Sequence, residues 1–148
     1  MIEGVVITSL KKIKDERGTV MHMMRRDSSI FKNFGEIYFS LTYPNAIKAW
    51  HMHKEMILNY ACIEGEIKFV LFDDRKNSKT KGKIQELILS PDNYFLVTVP
   101  PLIWNGFMNV GKKNSILANC SSVPYRDDEI IRRSPFDKFI PYKWLNIK

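Results

Sequence analysis

Residues 56–74 read "MILNYACIEGEIKFVLFDD". Two runs, "MILNYACI" and "EIKFVLFDD", are rich in β-branched, aliphatic and aromatic residues, and "EGE" between them has turn chemistry. Neither run has the three-and-four spacing of apolar residues that marks a helix. The same grammar continues outward. Toward the N-terminus stand "GVVITSL", "TVMHMM" and "GEIYFSLTY"; toward the C-terminus stand "IQELILS", "YFLVTVP" and "SILANCSSV". "DERG", "YPN", "DDRKNSKTKG", "SPDN" and "NVGKKN" separate them as turns and loops. About eight strands at a spacing of roughly ten residues predict an antiparallel, all-β sandwich or barrel. The one helical candidate is short: "DDEIIRRSP" (127–135), where Asp127 would cap and Pro135 would stop it.

The chain has 148 residues, 45% of them hydrophobic and 26% charged. That suits one globular domain over 1–148 with a real core, and no repeat or linker divides it. No apolar run reaches the roughly 18 residues of a membrane span. The charges in "MIEGVVITSLKKIK" do not fit a signal peptide. Cys62 and Cys120 lie in apolar stretches, which suits buried, reduced thiols and a cytoplasmic setting. The net charge of +7 concentrates in "KKIK" (11–14) and "RKNSKTKGK" (75–83). The second patch has loop composition and no interleaved aromatics to stack bases, so a solvated loop, not nucleic acid, is the expectation. An anionic small substrate would also suit a basic mouth. The C-terminal "SPFDKFIPYKWLNIK" is too apolar for a free tail and is expected to pack on the body or on a partner subunit.

Within "KAWHMHKEM" (48–56), His51 and His53 stand one residue apart. If 46–53 is extended, both imidazoles share one face about 6.5–7 Å apart, and Trp50 and Met52 take the other. Inward-facing imidazoles need hydrogen-bond partners or water. A metal site would need three or more ligands. Glu55 shares the face of the pair and keeps that option open, but at "VPPLIWNGFMN" (99–109) a distant strand offers Asn105, and a neutral amide is a poor ligand for a transition metal. Acid–base chemistry needs no metal: an imidazole in an apolar pocket can take a proton from carbon beside a carbonyl, provided donors meet the enolate oxygen.

Taken together, "DERGTV" (15–20), "AWHMHKEM" (49–56), "IEGEIKFVLFDDRKNSKTKG" (63–82) and "VPPLIWNGF" (99–107) resemble the dTDP-4-keto-6-deoxyglucose 3,5-epimerases in order and spacing. The resemblance covers roughly residues 15–135. The "HMHK" stretch also resembles the nucleotide-sugar 3,4-ketoisomerases. Both families are cupins of jelly-roll type, typically homodimers, and neither uses a metal or other cofactor. The resemblance implies that Arg17 holds the sugar diphosphate, for which a guanidinium fork is suited. It puts His51 on the catalytic base, Lys48 on an arginine near the phosphates, His53 on the second histidine of the ketoisomerases and Tyr38 on a pocket-lining tyrosine of those enzymes.

Three departures stand out. The general-acid tyrosine expected in "SILANCSS" is replaced by Ala118, the distal histidine by Asn105, and the aspartate that orients the base by Ser134. His53, Tyr60 and Tyr125 are then the candidates for the acid. Asn59, Asn105 and Asn119 are either donors to the sugar or satisfy backbone groups at strand ends. Trp50 and Trp104 either stack a ring or fill the core.

The expected activity is epimerisation of a dTDP-linked 4-keto-6-deoxy sugar: His51 removes a proton beside the ketone, and the enolate is reprotonated on its other face. A 3,4-ketoisomerase using His51 and His53 as paired proton carriers is the first rival. A catalytically weak nucleotide-sugar-binding protein is the second, and a metal-dependent cupin the third.

Overall fold

Twelve short strands carry the chain, in a computed structural model that describes residues 1–145. They are β1 (Val6–Ser9), β2 (Lys12–Asp15), β3 (Gly18–Met21), β4 (Glu36–Thr42), β5 (Ile47–His53), β6 (Leu58–Glu64), β7 (Ile67–Phe72), β8 (Ile84–Leu89), β9 (Phe95–Val99), β10 (Trp104–Asn109), β11 (Ser115–Ser121) and β12 (Ile130–Arg132). One sheet runs β1-β9-β6-β11-β4, the other β12-β5-β10-β7-β8, and β2-β3 form a separate hairpin. Every pairing is antiparallel. From β4 to β11, four strands fall in each sheet, in the orders β9-β6-β11-β4 and β5-β10-β7-β8. That is the connectivity of a jelly roll.

The "EGE" turn is where the chain leaves one sheet for the other. Gly65 sits at φ +74, and a Cβ there would lie 2.7 Å from the Cβ of Ser115. Both constraints favour glycine. The runs on either side bury alternate residues between the sheets: Leu58, Tyr60 and Cys62 from β6 meet Ile67, Phe69 and Leu71 from β7, with Val97, Phe107 and Leu117. Tyr60 and Phe69 ring centroids are 5.0 Å apart, and Phe69 stacks on Phe107 at 6.4 Å. Each such side chain contributes roughly 1.5–3 kcal/mol by leaving water.

The outer faces are covered as well, which is why these runs read as almost continuously apolar. Ala61 and Leu96 lie under Leu10, Met21, Met23, Met24 and Ile30. On the opposite side Val70, Phe72, Trp50 and Trp104 are closed over by Ile140, Tyr142 and Trp144. The C-terminal stretch thus packs on the body as far as it is described; its last residues, 146–148, lie outside the described residues. Trp50 and Trp104 belong to this outer layer, so they fill space and do not face the interior.

The expected helix at 127–135 is not formed, and no helix occurs among the described residues. Residues 130–132 are instead a strand whose Ile130 and Arg132 pair with His53 and His51. Two adjacent isoleucines suit a strand, and β5 offers an edge whose backbone groups need partners. Tertiary pairing outweighs the local capping signal: Asp127 accepts from the Tyr125 hydroxyl (2.5 Å) and caps nothing.

The basic loop after β7 is solvated but built around a buried carboxylate. Asp73 is fully buried and accepts from Arg75 Nε (2.9 Å), Arg75 Nη2 (2.9 Å), Ser78 Oγ (2.6 Å) and Thr80 Oγ1 (2.6 Å). Burial raises its carboxyl, but those donors outweigh burial and hold it well below the usual range. Lys76 points out to solvent. Removing Asp73 strands a half-buried guanidinium and two hydroxyls, so Asp73→Ala is expected to lower unfolding free energy by about 3 kcal/mol. Lys76→Ala in the same loop should stay within about 0.5 kcal/mol. Urea unfolding followed by tryptophan fluorescence compares the two.

Candidate functional site

At one end of the roll, β4 of the first sheet stands across from β5 and β12 of the second. Between them is a cavity of about 310 Å³. Glu36 and Tyr38 line it from β4, His51 and His53 from β5, and Ile130 and Arg132 from β12, with Met56 and Tyr125. The histidine pair arrives there by strand alternation: Trp50 is locked in the outer layer, which turns residues 51 and 53 inward. The two rings lie 6.1 Å apart and nearly perpendicular.

The environments of the two imidazoles differ. His53 is buried, and its Nδ1 lies 2.5 Å from Glu129 Oε2. Glu129 is buried too, and its Oε1 accepts the backbone N–H groups of Glu55 and Met56, each at 2.8 Å. Burial opposes charge on Glu129, but the N–H of Glu55, His53 and the N–H of Met56 prevail and keep its carboxyl below the usual range. A carboxylate on Nδ1 fixes the ring's orientation and places a proton there, leaving Nε2 for another partner.

His51 has no carboxylate. Its Nε2 lies 3.4 Å from the Tyr60 hydroxyl. Burial, then the charges of His53 and Arg132, lower its pKa to about 3, against a smaller opposing effect of Asn105. It is therefore a neutral imidazole at physiological pH. Asn105 sits opposite it on β10 and donates from Nδ2 to the backbone carbonyls of His51 (3.2 Å) and Ile103 (3.4 Å), so it braces the wall. Tyr60 is fully buried, and burial followed by the nearby Tyr38 raises its hydroxyl well above the ordinary tyrosine range.

Facing the histidines, the Tyr38 hydroxyl accepts a hydrogen bond from Asn119 Nδ2 (3.0 Å). Asn119 pairs with Tyr38 on one side and Tyr60 on the other, whereas Ala118 pairs with Phe39 and Ala61. Residue 118 therefore projects to the opposite face of the sheet, and Asn119 is the β11 residue aimed at the site.

Several residues picked from sequence stand elsewhere. Asn59 faces the outer side, donating to the Cys120 carbonyl (2.9 Å) and accepting from Thr98 Oγ1 (2.8 Å); it fastens strands and does not line the cavity. Lys48 lies outside the lining and clips β5 to β4 through Ser40 Oγ and the Leu41 carbonyl, both at 2.7 Å. Arg17 is at the exposed tip of the β2–β3 hairpin, paired with Asp15 at 2.6 Å. Glu55 turns toward Arg126 (3.3 Å), and among the described residues no three His, Cys, Asp or Glu side chains converge as a metal site would require. Ser134 Oγ accepts from the Phe136 N–H in a turn. Tyr125, an acid candidate, lines the cavity, but its hydroxyl is engaged with Asp127. The sequence reading missed Glu129 and Arg132 because both fall in the segment taken for a helix; the β-branched "EII" was the available signal.

Comparison with known proteins places this geometry. The family described as dTDP-4-dehydrorhamnose 3,5-epimerase matches over residues 1–148. A probable low-salt glycan biosynthesis epimerase, Agl13, of Haloferax volcanii is 32% identical, with 92% of this chain and 89% of that protein covered. The spore coat polysaccharide biosynthesis protein SpsL of Bacillus subtilis is 30% identical over 96% of this chain and 91% of its own. The crystal structure of a dTDP sugar isomerase from Desulfovibrio desulfuricans superposes with a TM-score of 0.94 at 41% identity, covering 97% of this chain and 92% of that one.

A histidine kept neutral in the fold makes stability depend on pH with a definite sign. Below its ordinary value near 6.5 the unfolded chain binds a proton that folded His51 refuses until about pH 3. Stability therefore falls on acidification through that window, by up to about 1.4 kcal/mol per pH unit, and gains nothing above it. Between about pH 7 and pH 4.5 the wild type should lose about 2 kcal/mol more than His51→Asn. Parallel urea titrations of the two proteins measure the difference.

Proposed function

We propose that this chain, which belongs to the dTDP-4-dehydrorhamnose 3,5-epimerase family, is a metal-independent isomerase that epimerises a dTDP-linked 4-keto-6-deoxy sugar in deoxysugar or polysaccharide biosynthesis. The observation that carries the reading is the convergence of His51 and His53 on one cavity, with a buried carboxylate holding the second ring. His51, uncharged, has a lone pair free to take the proton from carbon beside the C4 ketone. The C–H electron pair passes into the enolate. Arg132 brings a fixed positive charge to the same cavity, and an oxyanion that develops near such a charge in a partly dry site is strongly stabilised. His53 presents its remaining nitrogen as a second proton carrier. Because both imidazoles leave one strand, a 3,4-ketoisomerase that shuttles a proton along one face of the sugar is the competing reading.

The enzyme is further proposed to be a cytoplasmic homodimer of one domain per chain. Buried Cys62, its thiol pushed up to about 12 by burial, suits a reducing compartment. The outer side of edge strand β4 exposes Ile37, Phe39 and Leu41 in a row, and the β2–β3 hairpin exposes Ile13 and Val20. An apolar row on an unpaired edge calls for a cover. A second copy laid there would carry its Arg17 toward the mouth of the neighbouring cavity, where the diphosphate needs a cation.

The test follows dTDP-4-keto-6-deoxyglucose in D₂O by NMR. Loss of the C3 proton signal with the ketone still at C4 is the expected result; a ketone at C3 would decide for the isomerase. His51→Asn should slow exchange by about 10²- to 10⁴-fold while dTDP binding stays within about twofold. Wild-type exchange in that variant would end the mechanism. Phe39→Glu should give a monomer by light scattering, and Arg17→Ala should weaken dTDP binding by about tenfold.

A further inference from the structure

Inverting a carbon takes two proton carriers on opposite faces of it. His51 and His53 supply one face only, since both leave β5. The other wall of the cavity is β4, which contributes Glu36 and Tyr38. We propose that Tyr38 is the general acid of the epimerisation, a catalytic residue that returns a proton to the carbon on the face opposite His51. The proposal rests on the epimerase reading above.

The other hydroxyls are worse placed. Tyr60 leaves β6 on the same sheet as Tyr38, but it is fully buried and does not line the cavity, and its hydroxyl, 3.4 Å from His51 Nε2, holds its proton well above the ordinary range. The Tyr125 proton is directed at Asp127 Oδ1, 2.5 Å away. Tyr38 is partly exposed, so solvent can restore its proton between turnovers.

Its partner is set up for the charge that develops. Asn119 Oδ1 accepts the Asn59 N–H at 2.9 Å, which fixes which end of the amide is which. Nδ2 is then obliged to point at Tyr38, and its N–H lies 3.0 Å from the phenolic oxygen. An N–H donor leaves the phenolic proton free for the cavity and stabilises the phenolate once that proton has gone. The acid absent from β11 is thus supplied by the adjacent strand, and β11 contributes the donor that steadies it.

The step balances. His51 takes H⁺ from the carbon, whose electron pair enters the enolate. The enolate pair then forms a new C–H bond with the Tyr38 proton as the carbonyl is restored. His51 is left protonated and Tyr38 a phenolate, and solvent resets both.

Tyr38→Phe deletes one exposed hydroxyl and keeps the ring, so it folds; Asn119→Ser keeps a small polar group and removes the N–H donor. With dTDP-4-keto-6-deoxyglucose in D₂O, Tyr38→Phe should exchange the C3 proton within about threefold of wild type but form inverted product about 10²-fold more slowly. The deuterium then enters with retained configuration. Asn119→Ser should slow inversion by about tenfold and leave exchange unchanged. Inversion at the wild-type rate in Tyr38→Phe overturns the assignment. So does equal loss of exchange and inversion, because a group needed for proton removal is not the acid. Failure of the wild type itself to exchange would bring down the epimerase reading, and Tyr38 with it, and is distinguishable from either result.

Discussion

A single buried carboxylate organises the site. Glu129 is taken out of water almost completely, and a charge in that position is tolerated only with full compensation. The compensation comes from three donors on one short stretch: the ring of His53 and the N–H groups of Glu55 and Met56. Meeting that demand draws residues 126–133 against β5, and the rest follows geometrically. The segment pairs as β12, Arg132 lands beside His51, and Ile130 closes the cavity next to His53. The Trp50 N–H and carbonyl extend the seam, at 2.8 Å and 2.9 Å to Arg133.

The jelly roll then decides what faces what. From β4 to β12 every connection except β7–β8 carries the chain to the other sheet, so each wall of the cavity joins strands far apart in sequence, β4 with β11 on one side and β5 with β12 on the other. Proton chemistry on a ring carbon exploits this separation, because opposite faces of a flat enolate need carriers on opposite walls. On one wall burial and the neighbouring charges of His53 and Arg132 keep His51 neutral, and on the other the Asn119 N–H supports the phenolic oxygen of the exposed Tyr38.

The contrast between residues 118 and 119 carries a general lesson. Matching the chain to its relatives by motif draws attention to Ala118 as a lost acid. The register shows that 118 projects away and that Asn119 occupies the functional direction, with its amide fixed by Asn59. Asn59 in turn has a role, though not toward a ligand: its own side chain fastens strands on the outer face, while its backbone N–H sets the polarity of the amide that supports Tyr38.

The sequence by itself determined the things that depend on neighbours along the chain. Alternation and turn chemistry were enough for strands such as 58–64 and 67–72, for an all-β antiparallel class, and for the shared face of His51 and His53, because side-chain direction in a strand has a strict period of two. Only the tertiary structure decided what depends on partners distant in sequence. A short stretch with both capping and β-branched signals became β12 because β5 had an edge to fill. Glu129 found His53 across 76 residues, and the facing wall turned out to hold Tyr38. Hydrogen-bond and charge compensation are settled by proximity in space, and no local pattern encodes which wall a residue will meet.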